Sequence, residues 1–209
     1  PRGNQLAIIS NGTGPAAMAA DRAHALGIPL PKLAPDTIAE MKKFLPHDWA
    51  GGVPIDLGGD ATPERYLQAI SALAADTHVD AILVVLSPLA MAQPKRVAEG
   101  IVDIVRQQRL TLCCCFMGGE QISEARKILE EAGIPVFLTP DTVIELFHSI
   151  SKYYQNQKLL LQTPGPNQNM ELIATNNARP LMDALLGEHR QILSGMESRT
   201  LLHSFGIAV

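Results

Sequence analysis

The chain has 209 residues, 46% of them hydrophobic and 18% charged, and a formal net charge of −4. Those values fit one globular domain with a good core, or a domain plus an appendage. With no basic block and only 4% aromatics, nucleic acid is not an expected partner.

The chain opens on Pro1-Arg2-Gly3-Asn4 without Met, and the expectation is a piece of a longer polypeptide. The first element is the apolar run Leu6-Ala7-Ile8-Ile9-Ser10, a buried strand. Asn11-Gly12-Thr13-Gly14-Pro15 follows, and a helix is predicted over 15–26. Two glycines let the backbone turn sharply and approach a ligand closely. Pro15 loses nothing at a helix start, where its N–H would have no partner. A strand, a Gly-rich turn and a helix N-terminus together form an anion site. The same residues also make an ordinary tight turn with no ligand, and both readings stand, because G-x-G is a weak motif.

Further strands are predicted at 29–33, 54–57, 80–86, 110–116 and 134–138. Helices are predicted at 36–45, 63–75, 94–108, 121–132 and about 140–160. Asp80-Ala81-Ile82-Leu83-Val84-Val85-Leu86 is apolar after its first residue, as a parallel strand covered on both faces must be. Thr62-Pro63-Glu64 and Thr139-Pro140-Asp141 each offer a capping hydroxyl, a first-turn proline and an acid at the positive dipole end. Gly27 and Gly133 follow their helices as left-handed C′ residues. Strand–helix alternation with short connections implies an α/β, doubly wound parallel sheet.

The three cysteines are consecutive, Cys113-Cys114-Cys115, inside a strand-like run. Neighbours on a strand point to opposite faces, and no Cys-x-x-Cys spacing exists, so they read as buried thiols and no metal site is assigned. The lack of a disulfide framework fits a reducing cytoplasm. No run reaches the ~20 apolar residues of a membrane span, and no signal peptide is visible.

After Thr163-Pro164-Gly165-Pro166 the composition changes to polar loop material. Two short helices are predicted at 178–187 and 197–205, then an apolar strand at Phe205-Gly206-Ile207-Ala208-Val209. Residues 1–162 read as one domain. Residues 163–209 read as a linker and the start of another module, or as a helical arm of the same domain.

With these elements in order, the chain resembles the flavodoxin-like subdomain of NDP-forming acyl-CoA synthetases, the superfamily of succinyl-CoA synthetase. Asn11-Gly12-Thr13-Gly14-Pro15 is similar to its strand–loop–helix segment, and Pro54-Ile55-Asp56-Leu57-Gly58-Gly59-Asp60-Ala61 to its second signature. Asp80–Pro88 and Ala132–Pro140 match in order and spacing. Leu201–Val209 is similar to the opening of the ATP-grasp module that follows in fused members.

The resemblance implies a flavodoxin-like (Rossmann-like), three-layer αβα domain with a C-terminal helical extension. It implies a relay in which an acyl phosphate passes its phosphoryl group to a histidine, and a swinging loop carries it to a nucleotide. The parent protein would use CoA, ATP/ADP and Mg, none bound by this piece alone. Its partners would be CoA-binding and ATP-grasp subdomains of the same polypeptide, with a homo-oligomer allowed. The family's relay histidine lies in a preceding Gly/Ala-rich subdomain. None of His24, His47, His78, His148, His189 and His203 has that context, so no catalytic residue is assigned.

The expected phosphate-binding residues are Asn11, Gly12, Thr13, Gly14 and Ala16, supported by Asp56, Gly58 and Gly59. One departure stands out. The family commonly has Asn before the proline of the second signature, and this chain has Val53. That favours a degenerate, regulatory version, as in the acyl-CoA-sensing part of bacterial protein lysine acetyltransferases.

Overall fold

In the computed structural model, which describes residues 3–108, 110–162, 175–205 and 207, five parallel strands form one sheet. They are β1 (Leu6–Ser10), β2 (Ile55–Asp56), β3 (Ala81–Leu86), β4 (Leu112–Phe116) and β5 (Val136–Phe137), in the order β2-β1-β3-β4-β5. Ile8 lies opposite Leu83, and Val84 opposite Cys114. Every residue of β1 and β3 is buried, because helices cover both faces.

The side-chain alternation of the strands sorts the core into two layers. Leu6, Ile8, Leu83, Val85 and Cys115 meet α1 (Thr13–Ala25) and α6 (Pro140–Leu160). Ala7, Ile9, Ile82, Val84, Leu86, Cys114 and Phe116 meet α2 (Pro35–Met41), α3 (Pro63–Ala75), α4 (Pro94–Gln107) and α5 (Ser123–Glu131). This is the doubly wound α/β arrangement expected from the strand–helix alternation. Burial holds all three thiols protonated. It pushes Cys113 and Cys114 up, and Cys115 up to about 12 with a smaller push from the Asp141 carboxylate.

Several boundaries differ from the sequence expectation. Residues 29–33 form no strand. Pro29 and Pro31 lack the N–H a ladder needs, and Pro29 instead gives its carbonyl to Leu6 N–H. The helix expected over 36–45 ends at Met41. Helix α1 begins at Thr13, two residues before the predicted start, with Gly12 as N-cap. Pro15 is still harmless as the third helical residue, since its N–H would lie within the unpaired first turn. A 3-10 turn, Glu120–Ile122, precedes α5. Thr62 caps α3 as expected, accepting from Arg65 N–H at 3.4 Å, whereas the Thr139 hydroxyl meets that of Thr142.

By contact the chain divides into two units, Pro1–Leu160 and Leu161–Val209. The second holds α7 (Thr175–Gly187) and α8 (Gly195–Ser204), each starting earlier than predicted. Ser194 and Glu197 form a reciprocal capping box at α8. Arg190 reaches both Glu197 oxygens at 2.8 Å and, with the Ser194 bonds, holds that carboxyl down at about 2. Phe205 is a turn residue closing α8. Most of the strand predicted at 205–209 and the linker at 163–174 lie outside the described residues.

Candidate functional site

The order 2-1-3-4-5 places a topological switch point between β1 and β3, where the chain leaves neighbouring strands toward opposite faces. Ligands of open α/β sheets collect at the carboxyl ends of the strands there. The residues meeting at that edge are Ser10–Gly14 after β1, Asp56–Gly59 after β2 and Ser87 after β3.

The turn after β1 is built by its own polar groups. Gly12 N–H donates to Ser10 Oγ at 3.1 Å, while the Ser10 hydroxyl donates to the Gly12 carbonyl at 2.9 Å. The same carbonyl accepts the first helical bond, from Ala16 N–H at 3.2 Å. Of the amides at 12–16, Gly12 and Ala16 are therefore engaged, and Pro15 has none. Thr13 and Gly14 N–H have no acceptor among the described residues, and both residues are exposed. A Cβ on Gly14 would meet nothing within 4 Å, so the flank of the turn beside that residue is open.

Three of the expected anion ligands have their donors engaged within the protein: Gly12, whose N–H goes to Ser10 Oγ, Asn11 and Ala16. Asn11 is 2% exposed. Its Nδ2 donates to the Ser87 carbonyl at 2.9 Å, and its Oδ1 accepts from Ser87 N–H at 2.8 Å. The amide joins the ends of β1 and β3 and does not face outward. Ala16 is buried, with its N–H in the helix ladder. The donor set contracts to Thr13 and Gly14.

The β2 end forms the other wall. Asp56 Oδ1 accepts from Gly58 N–H at 2.8 Å, and Oδ2 accepts from the Thr13 hydroxyl at 3.3 Å. The second signature thus reaches the start of α1 through one side-chain bond. Gly58 has φ +82°, and an added Cβ would lie 2.8 Å from Asp60 and 3.2 Å from Pro46. Glycine is required there on both counts. Gly59 is exposed and approaches Leu89. Arg65 donates to the Leu57 carbonyl at 2.7 Å and to Asp60 at 2.6 Å, which holds the Asp60 carboxyl below its usual value. Beneath the edge, Tyr66 is fully buried and donates to the Val85 carbonyl at 3.1 Å. Burial pushes its phenol far above the ordinary range, outweighing the opposing Asn11 N–H. Beside Asp56, an open cleft of about 420 Å³ is lined by Pro46, Trp49, Val53, Pro54 and Gly58.

The groups gathered at this edge are the unengaged Thr13 and Gly14 amides, the Asp56 carboxylate and the Ser10, Thr13 and Ser87 hydroxyls. No histidine lies among these residues. His78 is at the opposite end of the sheet, where it bonds the buried Asp76 at 3.0 Å. Among the described residues no cluster of three His, Cys, Asp or Glu could hold a metal, and no helix is long and apolar enough to cross a membrane.

Residues 6–152 match the family model of the Ligase-CoA domain. The chain belongs to that family, within the NDP-forming acyl-CoA synthetases. The ADP-forming acetate–CoA ligase I of Archaeoglobus fulgidus is 30% identical over 208 residues, covering 100% of this chain and 29% of that protein. The alpha subunit of ADP-forming acetate–CoA ligase II of Pyrococcus furiosus is 31% identical over 160 residues, covering 75% of this chain and 35% of the subunit. Among solved structures, the dinucleotide-forming acetyl-coenzyme A synthetase 1 of Ca. Korarchaeum cryptofilum, in complex with phosphate and ADP, superimposes with a TM-score of 0.73. It is 27% identical, over 80% of this chain and 36% of that one. The chain thus spans about a third of the length of these relatives.

Proposed function

We propose that this Ligase-CoA module belongs to an ADP-forming acyl-CoA synthetase, which makes acyl-CoA from an acid, CoA and ATP through an acyl phosphate and a phosphohistidine. The module contributes the N-terminus of α1 to that relay. The observation that carries this role is the pair of unengaged amides at the exposed residues Thr13 and Gly14, in a chain similar along its whole length to an acetate–CoA ligase. The positive end of a helix adds ~0.3–1 kcal/mol toward an anion at an exposed site, and charge-assisted bonds to the amides add to it. The Asp56 carboxylate beside Thr13 opposes a bound anion. That balance suits a phosphoryl group in transit better than a resident one.

The relay histidine, CoA, ATP/ADP and Mg belong to the CoA-binding and ATP-grasp modules that complete the parent protein, in the cytoplasm. Residues 163–209 serve as the linker and the first helices of the ATP-grasp module, and a homo-oligomer is compatible with this arrangement. The test is acyl-CoA formation from acid, CoA and ATP in the full-length polypeptide. Replacing Gly14 by Leu should abolish it, and full turnover in that variant counts against the anion role.

Val53 favours a second reading, a catalytically silent acyl-CoA sensor fused to a protein lysine acetyltransferase. It stands at the cleft beside Asp56, where it supplies no amide donor. Calorimetric titration of the full-length protein with acetyl-CoA separates the two. Binding without ligase turnover supports the sensor, and absence of binding removes it.

A further inference from the structure

Helix α6 outruns the sheet it covers. Its last buried residue is Ser151, and every residue from Lys152 to Leu160 is exposed. That overhang is about two and a half turns, and a helix so short is marginal in water by itself. One side of it is apolar. Leu146, Ile150, Tyr153, Gln157 and Leu160 follow one another four, three, four and three residues apart, which sets them on a single stripe with the spacing of a helix-pairing seam. Leu146 and Ile150 are half-buried at the domain's edge. The stripe then runs out to Tyr153 at 59% exposure and Leu160 at 79%, with Tyr154 beside it at 54%. Single apolar residues on a surface need no partner, but a continuous stripe marks a contact.

Charge says what kind of partner fits. Lys152 and Lys158 stand on opposite flanks of the stripe. Neither has an ion-pair partner among the described residues, and no acid occurs between Glu145 and Leu160. Flanking charges select the partner of a helix seam. A second copy of α6 brings two more lysines and no acid, so it does not complement the first. An acid-flanked helix does. There is ample chain to supply one, since the acetate–CoA ligase matched along this whole chain is covered to only 29% of its length.

We propose that the overhang of α6 is a docking ridge for another module of the parent polypeptide, and that the element seated on it is an amphipathic helix whose apolar stripe is flanked by Asp or Glu. The ridge rests on the longer parent protein inferred above, though not on its phosphoryl chemistry. Gln157, the one polar residue of the seam, fixes the register by pairing with a polar group opposite.

The test is amide hydrogen exchange over residues 152–160 in the full-length polypeptide and in the 209-residue chain, with β3 amides as the folding control. Without its partner the overhang should exchange close to the unprotected rate. In the full-length protein it should exchange about tenfold more slowly or less, with β3 protected in both. Leu160→Glu in the full-length protein should abolish the difference and leave β3 unchanged. Lys152→Glu with Lys158→Glu should reduce it, because acid then faces acid. Equal exchange in the two wild-type proteins overturns the ridge. Undiminished protection in the double lysine variant overturns the acidic partner. Protection that appears in the 209-residue chain as its concentration rises, with a dimer in sedimentation, overturns the assignment in favour of a second copy. Ligase turnover is read separately: a full-length protein that turns over with an unprotected overhang loses the ridge alone, and one with a protected overhang and no turnover loses the relay alone.

Discussion

Asp76 shows how much one residue can hold. It is 5% exposed, and burial alone would raise its carboxyl. The N–H groups of Ala34 and His78, the Thr37 hydroxyl and the His78 ring outweigh that and hold it below the ordinary value. A depressed folded-state value stabilises the fold above the unfolded carboxylate's ordinary range, near 4, and the contribution fades as pH falls through the folded value. Denaturant midpoints should therefore be flat from neutrality to about pH 5 and decline below about 4. Asp76→Asn should flatten part of that decline. Asp76→Ala, which strands the Ala34 donor, should cost about 2 kcal/mol at neutral pH. Glycines at the candidate site divide by the same kind of reasoning. Gly58→Ala meets a positive φ and two close neighbours, and should lose about 2 kcal/mol in chemical denaturation. Gly14→Ala meets open space in a helix and should leave stability unchanged or raise it by up to about 1 kcal/mol.

At the scale of elements, α1 is the part whose placement matters most. It lies close on the sheet because the residues it buries are all small, Ala16, Ala19 and Ala23. Ala19→Leu should overpack that layer, costing about 1–3 kcal/mol, and should lower ligase turnover beyond what the lost stability explains. Wild-type turnover in a stably folded Ala19→Leu protein would show that the seating of α1 is not critical. The long apolar strands were legible in the sequence because burial on both faces leaves a continuous apolar run, as in Ala81–Leu86. Residues 29–33 misled for the same reason. Apart from the exposed Lys32 they are apolar and buried or half-buried, but hydrophobicity does not report the missing N–H groups of Pro29 and Pro31. The helix after the glycine turn was legible. Which of its first amides stay unengaged was not, because that depends on the Ser10 hydroxyl folding back on Gly12.

For the whole molecule, order along the chain said more than any single motif. The two signatures lie 43 residues apart at Thr13 and Asp56, yet a hydrogen bond joins them, because β1 and β2 are neighbours in the sheet. Spacing alone could not place Asn11 and Ser87 together either. They are separated by 76 residues, and only the crossover from β1 to β3 brings them to one edge. Asn11 was expected among the anion ligands for its amide, and tertiary pairing claimed that amide instead. The central claim is that the exposed Thr13 and Gly14 amides receive a phosphoryl group handed on by other modules. The most direct measurement is ATP-dependent acyl-CoA formation by the full-length polypeptide, wild type beside Gly14→Leu, with thermal midpoints taken on the same samples. The account predicts turnover in the wild type and its loss in Gly14→Leu with the midpoint retained. Equal turnover in the two proteins would contradict it.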